Sequence, residues 1–225
     1  ALAKTTTGSH NIGIGVYSVC ATTTGDRNVG TGNFTLQENT TGVNNAAFGY
    51  QAGRCNSTGN NNAFFGGYAG CANTTGSANT ASGAYALYNN TTGCSNNAVG
   101  KSAMQLNTTG SSNNAHGERA GFSTTTGSAN TAVGSNSLNA NTTGGCNAAV
   151  GYYALNANTT GTKLVAVGSN ALQNNTTGVD NTASGYGALI NNTTGACNTA
   201  VGSLALYANT TGQGNTASGY KALHA

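Results

Sequence analysis

Small and apolar residues return along this chain at a step of seventeen, with polar residues at fixed places between them. Alanine sits two residues before a glycine in most units, as at Ala132, Ala149 and Ala166. Three residues after that glycine comes a second small position, alanine in ten units and Ser18, Thr35 and Ser137 in the others. Leucine usually follows, as at Leu87, Leu138, Leu155, Leu172, Leu189, Leu206 and Leu223. The whole unit reads G-x-x-N-T-A-x-G-x-x-A-L-x-x-N-T-T. Its first glycine recurs from Gly8 to Gly212 and its second from Gly15 to Gly219, thirteen times each, without insertion or deletion.

Seventeen residues is too short for a helix-turn-helix repeat. Two glycines and a Thr-Thr pair per unit also oppose a helix, because glycine and β-branched residues are poor helix formers. The pattern predicts an all-β fold, a β-solenoid (parallel β-roll) of thirteen 17-residue coils. Two short strands per coil are expected, over N-T-A-x and A-L-x-x-N-T-T, with turns at the glycines, which supply positive φ. The alanines predict a thin interior. Coils stacked at about 4.8 Å would make a rod on the order of 60 Å long. Residues 1–225 read as one continuous module. The chain opens in mid-unit at Ala1 and stops in mid-unit at Ala225 with no cap in sight, so a segment of a longer fibre, or a protomer capped by its neighbours, is expected.

In such a stack each residue lies over its own copy. Three residues after the first glycine, asparagine stands in twelve units: Asn11, Asn28, Asn45, Asn62, Asn79, Asn96, Asn113, Asn130, Asn147, Asn181, Asn198 and Asn215, with Leu164 in the remaining one. That column is expected to form a ladder of amide-to-amide hydrogen bonds, partly buried since leucine can replace one rung. A second asparagine opens the N-T-T-G stretch (N-S-T-G at Asn56) in ten units: Asn39, Asn56, Asn73, Asn90, Asn107, Asn141, Asn158, Asn175, Asn192 and Asn209. Each of the ten is an Asn-x-Ser/Thr acceptor for N-linked glycan. The same residues are also turn chemistry, Asn starting and Gly closing. Charged residues make up only 5% of the chain, and a rod so poor in charge needs something polar on its surface, covalent glycans or another solvating device.

The eleven charges are scattered, so the net charge of +3 gives no basic stripe for nucleic acid. No apolar run reaches membrane-span length. Six cysteines lack metal-ligand spacing. Cys55 and Cys71 fall on adjacent coils at neighbouring phases and are a candidate disulfide; pairing between chains and a plain buried thiol are the alternatives. His10, His116 and His224 sit at three different phases, so no catalytic, cofactor or metal site is expected and the chain does not read as an enzyme. Aromatic residues concentrate at Phe34, Phe48, Tyr50, Phe64, Phe65 and Tyr68, either a sugar-stacking face or a packing face for another chain. An ice-binding reading is weakened because the threonines are adjacent and, in an extended strand, face opposite sides.

Runs such as Asn198-Thr199-Ala200-Val201-Gly202-Ser203-Leu204-Ala205-Leu206, followed by Asn209-Thr210-Thr211-Gly212, resemble repeats of phage tail-fibre-like proteins and of large microbial surface proteins. The A-x-G-x-x-A core is similar to the head repeat of trimeric autotransporter adhesins, whose unit is shorter and lacks the N-T-T-G insert. The resemblance implies a β-roll assembled from identical chains at a cell or virion surface. The expected function is a rigid extracellular fibre or filament shaft. An adhesin or receptor-binding fibre that recognises cell-surface glycans is the alternative.

Overall fold

One alanine between two outward-pointing residues is enough to make a strand here, because the coil is narrow and only the middle side chain has an inside to face. A computed structural model describes residues 6–224; Ala1, Lys4, Thr5 and Ala225 lie outside them. The protein is all-β, a β-solenoid with one three-residue strand per unit of seventeen. The chain divides into two compact units, Ala1–Asn113 and Asn114–Ala225.

The first unit carries β1 (Ile12–Ile14), β2 (Val29–Thr31), β3 (Ala46–Phe48), β4 (Ala63–Phe65), β5 (Thr80–Ser82) and β6 (Asn97–Val99). Each pairs in parallel with the next at a register of seventeen, as in Gly30↔Ala47 and Thr80↔Asn97. The second unit repeats the arrangement with β7 (Asn114–His116), β8 (Thr131–Val133), β9 (Ala148–Val150), β10 (Val165–Val167), β11 (Thr182–Ser184), β12 (Thr199–Val201) and β13 (Thr216–Ser218). Ala132↔Ala149 and Ala183↔Ala200 show the same register there. The middle residue of almost every strand is buried, so the alanines at this phase form the predicted thin interior.

Among the described residues the second predicted strand, over A-L-x-x-N-T-T, is absent: that stretch is a chain of turns and bends. The cause lies in its backbone. Leu36, Leu87, Leu138, Leu155, Leu172 and Leu189 all take positive φ, between 45° and 53°. A left-handed residue other than glycine costs about 1–2 kcal/mol, and burying a whole leucine contributes about 1.5–3 kcal/mol. Each of these leucines is buried at the centre of its coil, so the hydrophobic term wins and the bend is kept. Main-chain bonds to the neighbouring coil survive it, as in Leu36 N–H to Ala52 O at 3.1 Å.

Phe64 breaks the alanine column, and two other breaks accommodate it. At the leucine phase, Gly53 and Gly70 replace leucine. A Cβ built on Gly53 would lie 2.6 Å from Phe64 Cδ2, and one on Gly70 would fall onto the ring edge. One large side chain thus fills the room of two absent ones.

The two glycine series answer different demands. Gly49, in the second series, has φ 128°, which an L side chain rarely adopts. Gly42, in the first series, has an ordinary φ, and it is closeness that excludes a side chain: a Cβ there would lie 2.5 Å from Gly59 O in the next coil. The expectation that both series serve positive φ therefore holds only for the second.

Candidate functional site

Asparagine is short enough to stay in the coil and carries a donor and an acceptor, so a column of them can satisfy both neighbours. In the first unit Asn11, Asn28, Asn45, Asn62, Asn79, Asn96 and Asn113 stand in register. Each Oδ1 accepts the backbone N–H of the next asparagine, as from Asn28 to Asn11 at 2.9 Å and from Asn96 to Asn79 at 3.0 Å. Each Nδ2 reaches into the next coil and donates to a first-series glycine carbonyl, as from Asn45 to Gly59 O at 2.8 Å. In the second unit Asn130, Asn147, Asn181, Asn198 and Asn215 continue the pattern, with Asn198 N–H bonded to Asn181 Oδ1 at 2.9 Å. The expected amide-to-amide contact is present as the longer member, 3.1 Å from Asn62 Nδ2 to Asn45 Oδ1. The stronger links run from side chain to main chain. Leu164 still donates its N–H to Asn147 Oδ1 at 3.1 Å but offers no acceptor to the Asn181 N–H.

The ten N-T-T asparagines form a second ladder that the sequence reading did not separate from turn chemistry. Asn73 Nδ2 donates to Asn56 Oδ1 at 2.7 Å and to Gly76 O at 2.9 Å. Asn90 and Asn107 repeat this in the first unit, and Asn158, Asn175, Asn192 and Asn209 in the second. Asn39 and Asn141 make the glycine bond, to Gly42 O at 3.1 Å and Gly144 O at 3.0 Å. Nine of the ten are buried and Asn209 is half-buried. N-linked attachment uses this same Nδ2, so a glycan on the nine would have to break the coil. At the phase of this ladder in the first unit, Thr22 Oγ1 and Asn107 Oδ1 are buried without a partner.

The two ladders meet on one atom. Gly93 O accepts from Asn79 Nδ2 at 2.8 Å and from Asn90 Nδ2 at 3.0 Å. Gly161 O accepts from Asn147 and Asn158 in the same way. A carbonyl has two lone pairs, and both are used. Gly178 keeps only the Asn175 amide, because Leu164 has none to give.

Cys55 and Cys71 are free thiols, so the candidate disulfide is not formed. Cys71 is buried, and burial pushes its thiol up to about 11; burial raises Cys55 as well. Both therefore stay protonated and inert near neutral pH. Among the described residues, no group of three or more His, Cys, Asp or Glu is placed to hold a metal ion.

In the first unit the aromatic residues form a column on the outer surface. Tyr17 and Phe34 stack at 5.8 Å with 20° between planes, and Tyr68 and Tyr85 at 5.0 Å with 7°. Phe48 and Phe65 form a separate pair, 5.2 Å apart and 5° from parallel. Between the stacked pairs lie edge-to-face contacts, Phe34 with Tyr50 at 5.9 Å and Tyr50 with Tyr68 at 5.2 Å, so neighbouring coils are linked through their rings.

The N-T-T stretch is not an extended strand, and the two threonines of most pairs differ in exposure. The first of each pair is mostly half-buried and donates its Oγ1 to its copy in the next coil, as from Thr74 to Thr91 O at 2.9 Å. The second is exposed in every unit. No helix is long and apolar enough to cross a membrane among the described residues. Compared with family models, with curated protein sequences and with solved structures, the chain has no match.

Proposed function

We propose that this chain is a structural protein, a rigid segment of an extracellular fibre or filament shaft built from identical chains at a cell or virion surface. The observation that supports this reading is where the polar groups are spent. Two asparagine ladders and a threonine column run from coil to coil within each unit, and most of their rungs bind the coil beside them. Chemistry needs polar groups that converge and depart from a repeat; here they are consumed by it. Stability in such a repeat is a sum over neighbouring coils, which suits a mechanical element. An adhesin reading has less support, since the aromatic residues of the first unit pack on one another from coil to coil.

The test is electron microscopy and fibre diffraction of the native material. Unbranched filaments with an axial reflection near about 4.8 Å are expected. A dispersed monomer at all concentrations, with no filament in the native source, would overturn the proposal.

A further inference from the structure

The second threonine of the pair bonds the next coil through its main chain in most units, as from Thr92 N–H to Thr108 O at 3.2 Å, but its hydroxyl has no job in the fold. It occupies every seventeenth position from Thr7 to Thr109 in the first unit and from Thr126 to Thr211 in the second. All thirteen are exposed, and among the described residues none of their Oγ1 atoms makes a hydrogen bond. The repeat supplies its own control. Three residues further on lies another position exposed in all thirteen units. It holds nine residue types, among them His10, Arg27, Ala78, Cys146, Lys163 and Asp180. Copying of the unit therefore did not freeze exposed positions. The preceding threonine, whose hydroxyl is bonded, tolerates serine at Ser57, which makes the same bond to Thr74 O at 3.1 Å. Only the position with the idle hydroxyl is threonine without exception, never valine, which would keep the β-branched shape.

We infer that these thirteen threonines are an array of covalent attachment sites, O-glycosylated on Oγ1 in the native protein. The atom needed is exposed, unbonded and always present. The step is a displacement in which Thr Oγ attacks the anomeric carbon of a nucleotide-activated sugar. The new C–O bond forms as the bond to the phosphate leaving group breaks. The hydroxyl proton passes to a base on the transferase, and nothing is oxidised or reduced. Rungs are about 4.8 Å apart, so sugars on neighbouring rungs touch and compact saccharides fit best. Phosphate is a poor alternative, because close to two negative charges per rung would repel along the whole column. Recognition of a flat lattice such as ice is also a poor fit, since the flanking exposed position carries Arg27, Lys163 and Asp180 at irregular intervals. The inference does not depend on the chain being a fibre. It replaces the buried asparagines as the place where a chain with 5% charge gains its hydrated coat.

Protein purified from the organism that makes it is compared with the same chain made in a bacterial host lacking O-glycosyltransferases. Intact mass is measured first, then electron-transfer fragmentation locates the modified residues. The native protein should exceed 22.0 kDa by whole sugar residues, mapped to Thr24, Thr41, Thr92 and their equivalents. The bonded threonines and the ladder asparagines should be bare. A native mass equal to the recombinant one overturns the inference, as does sugar confined to other residues. Phosphate on these threonines, or thermal hysteresis from unmodified native protein, overturns it in favour of the corresponding alternative.

Discussion

Replacing Phe64 by alanine should make the largest single hole available in this protein, and the hole should be curable from a different coil position. Phe→Ala in a core costs about 3–5 kcal/mol, more where the surroundings cannot collapse. Here the ring is flanked by Gly53 and Gly70, neither of which has a side chain to move in, so the upper end is expected. Gly70→Leu alone should also destabilise, by about 1–3 kcal/mol for overpacking, because its Cβ would land on Cε1 and Cδ1 of Phe64. Once the ring is gone, the sign should reverse. Gly70 has φ 58°, close to the 45–53° of the buried leucines at its phase. A buried leucine contributes about 1.5–3 kcal/mol and its left-handed backbone takes about 1–2 of that back. The double variant should therefore recover up to about 2 kcal/mol, and with the overpacking loss the coupling across the cycle should be on the order of 2 kcal/mol. Urea unfolding of the whole chain gives the sum. Because repeat arrays need not unfold in two states, hydrogen exchange at the Gly53 and Gly70 amides, bonded to Ala69 O and Ala86 O, reads the effect locally. If Gly70→Leu lowers stability equally with and without the ring, the compensation argument fails.

Asn79→Ala should strand the buried Asn96 N–H and cost about 1–3 kcal/mol, whereas Thr92→Val, exposed and unbonded, should change unfolding by no more than about 0.5 kcal/mol. Glycine-to-alanine changes should split by position. Gly93→Ala meets Gly110 O and Asn90 Oδ1 and should destabilise, while Gly67→Ala meets nothing within 4 Å and should be neutral or gain up to about 1 kcal/mol. Thermal melts of the two variants bracket wild type if this is right. Thiol labelling at pH 7 should find Cys146 and Cys197 first, with Cys71 silent until the pH rises towards about 11 or the chain unfolds. The raised thiol also sets a direction for stability. Its contribution is complete below pH 9, the ordinary thiol value, and is lost as the pH climbs from 9 towards about 11, so alkaline unfolding should ease in that window and a Cys71→Ala variant should lack that part of the slope.

The step of seventeen made the solenoid, its parallel register and its alanine interior readable from the chain alone. Leu164 correctly marked its column as buried. The second strand expected over A-L-x-x-N-T-T does not form, although leucine after alanine looks like any extended apolar stretch. Nothing in Ala86-Leu87 announces that the leucine bends left-handed to reach the axis. The second ladder was hidden for a different reason. Asn73-Thr74-Thr75-Gly76 spells a turn, a glycan acceptor and a ladder rung equally well, and only burial separates the three. The pairing of Phe64 with Gly53 and Gly70 was legible in principle, as three departures from the unit within eighteen residues. It needed the geometry to show that they occupy one space.

That trio has a genetic meaning. Loss or gain of one whole unit by unequal recombination leaves the columns in step, so length can drift freely in descendants of this gene. A crossover that parts Phe64 from Gly53 sets a benzyl group against a leucine instead. Among units that can otherwise be shuffled like beads, this neighbourhood must be inherited together.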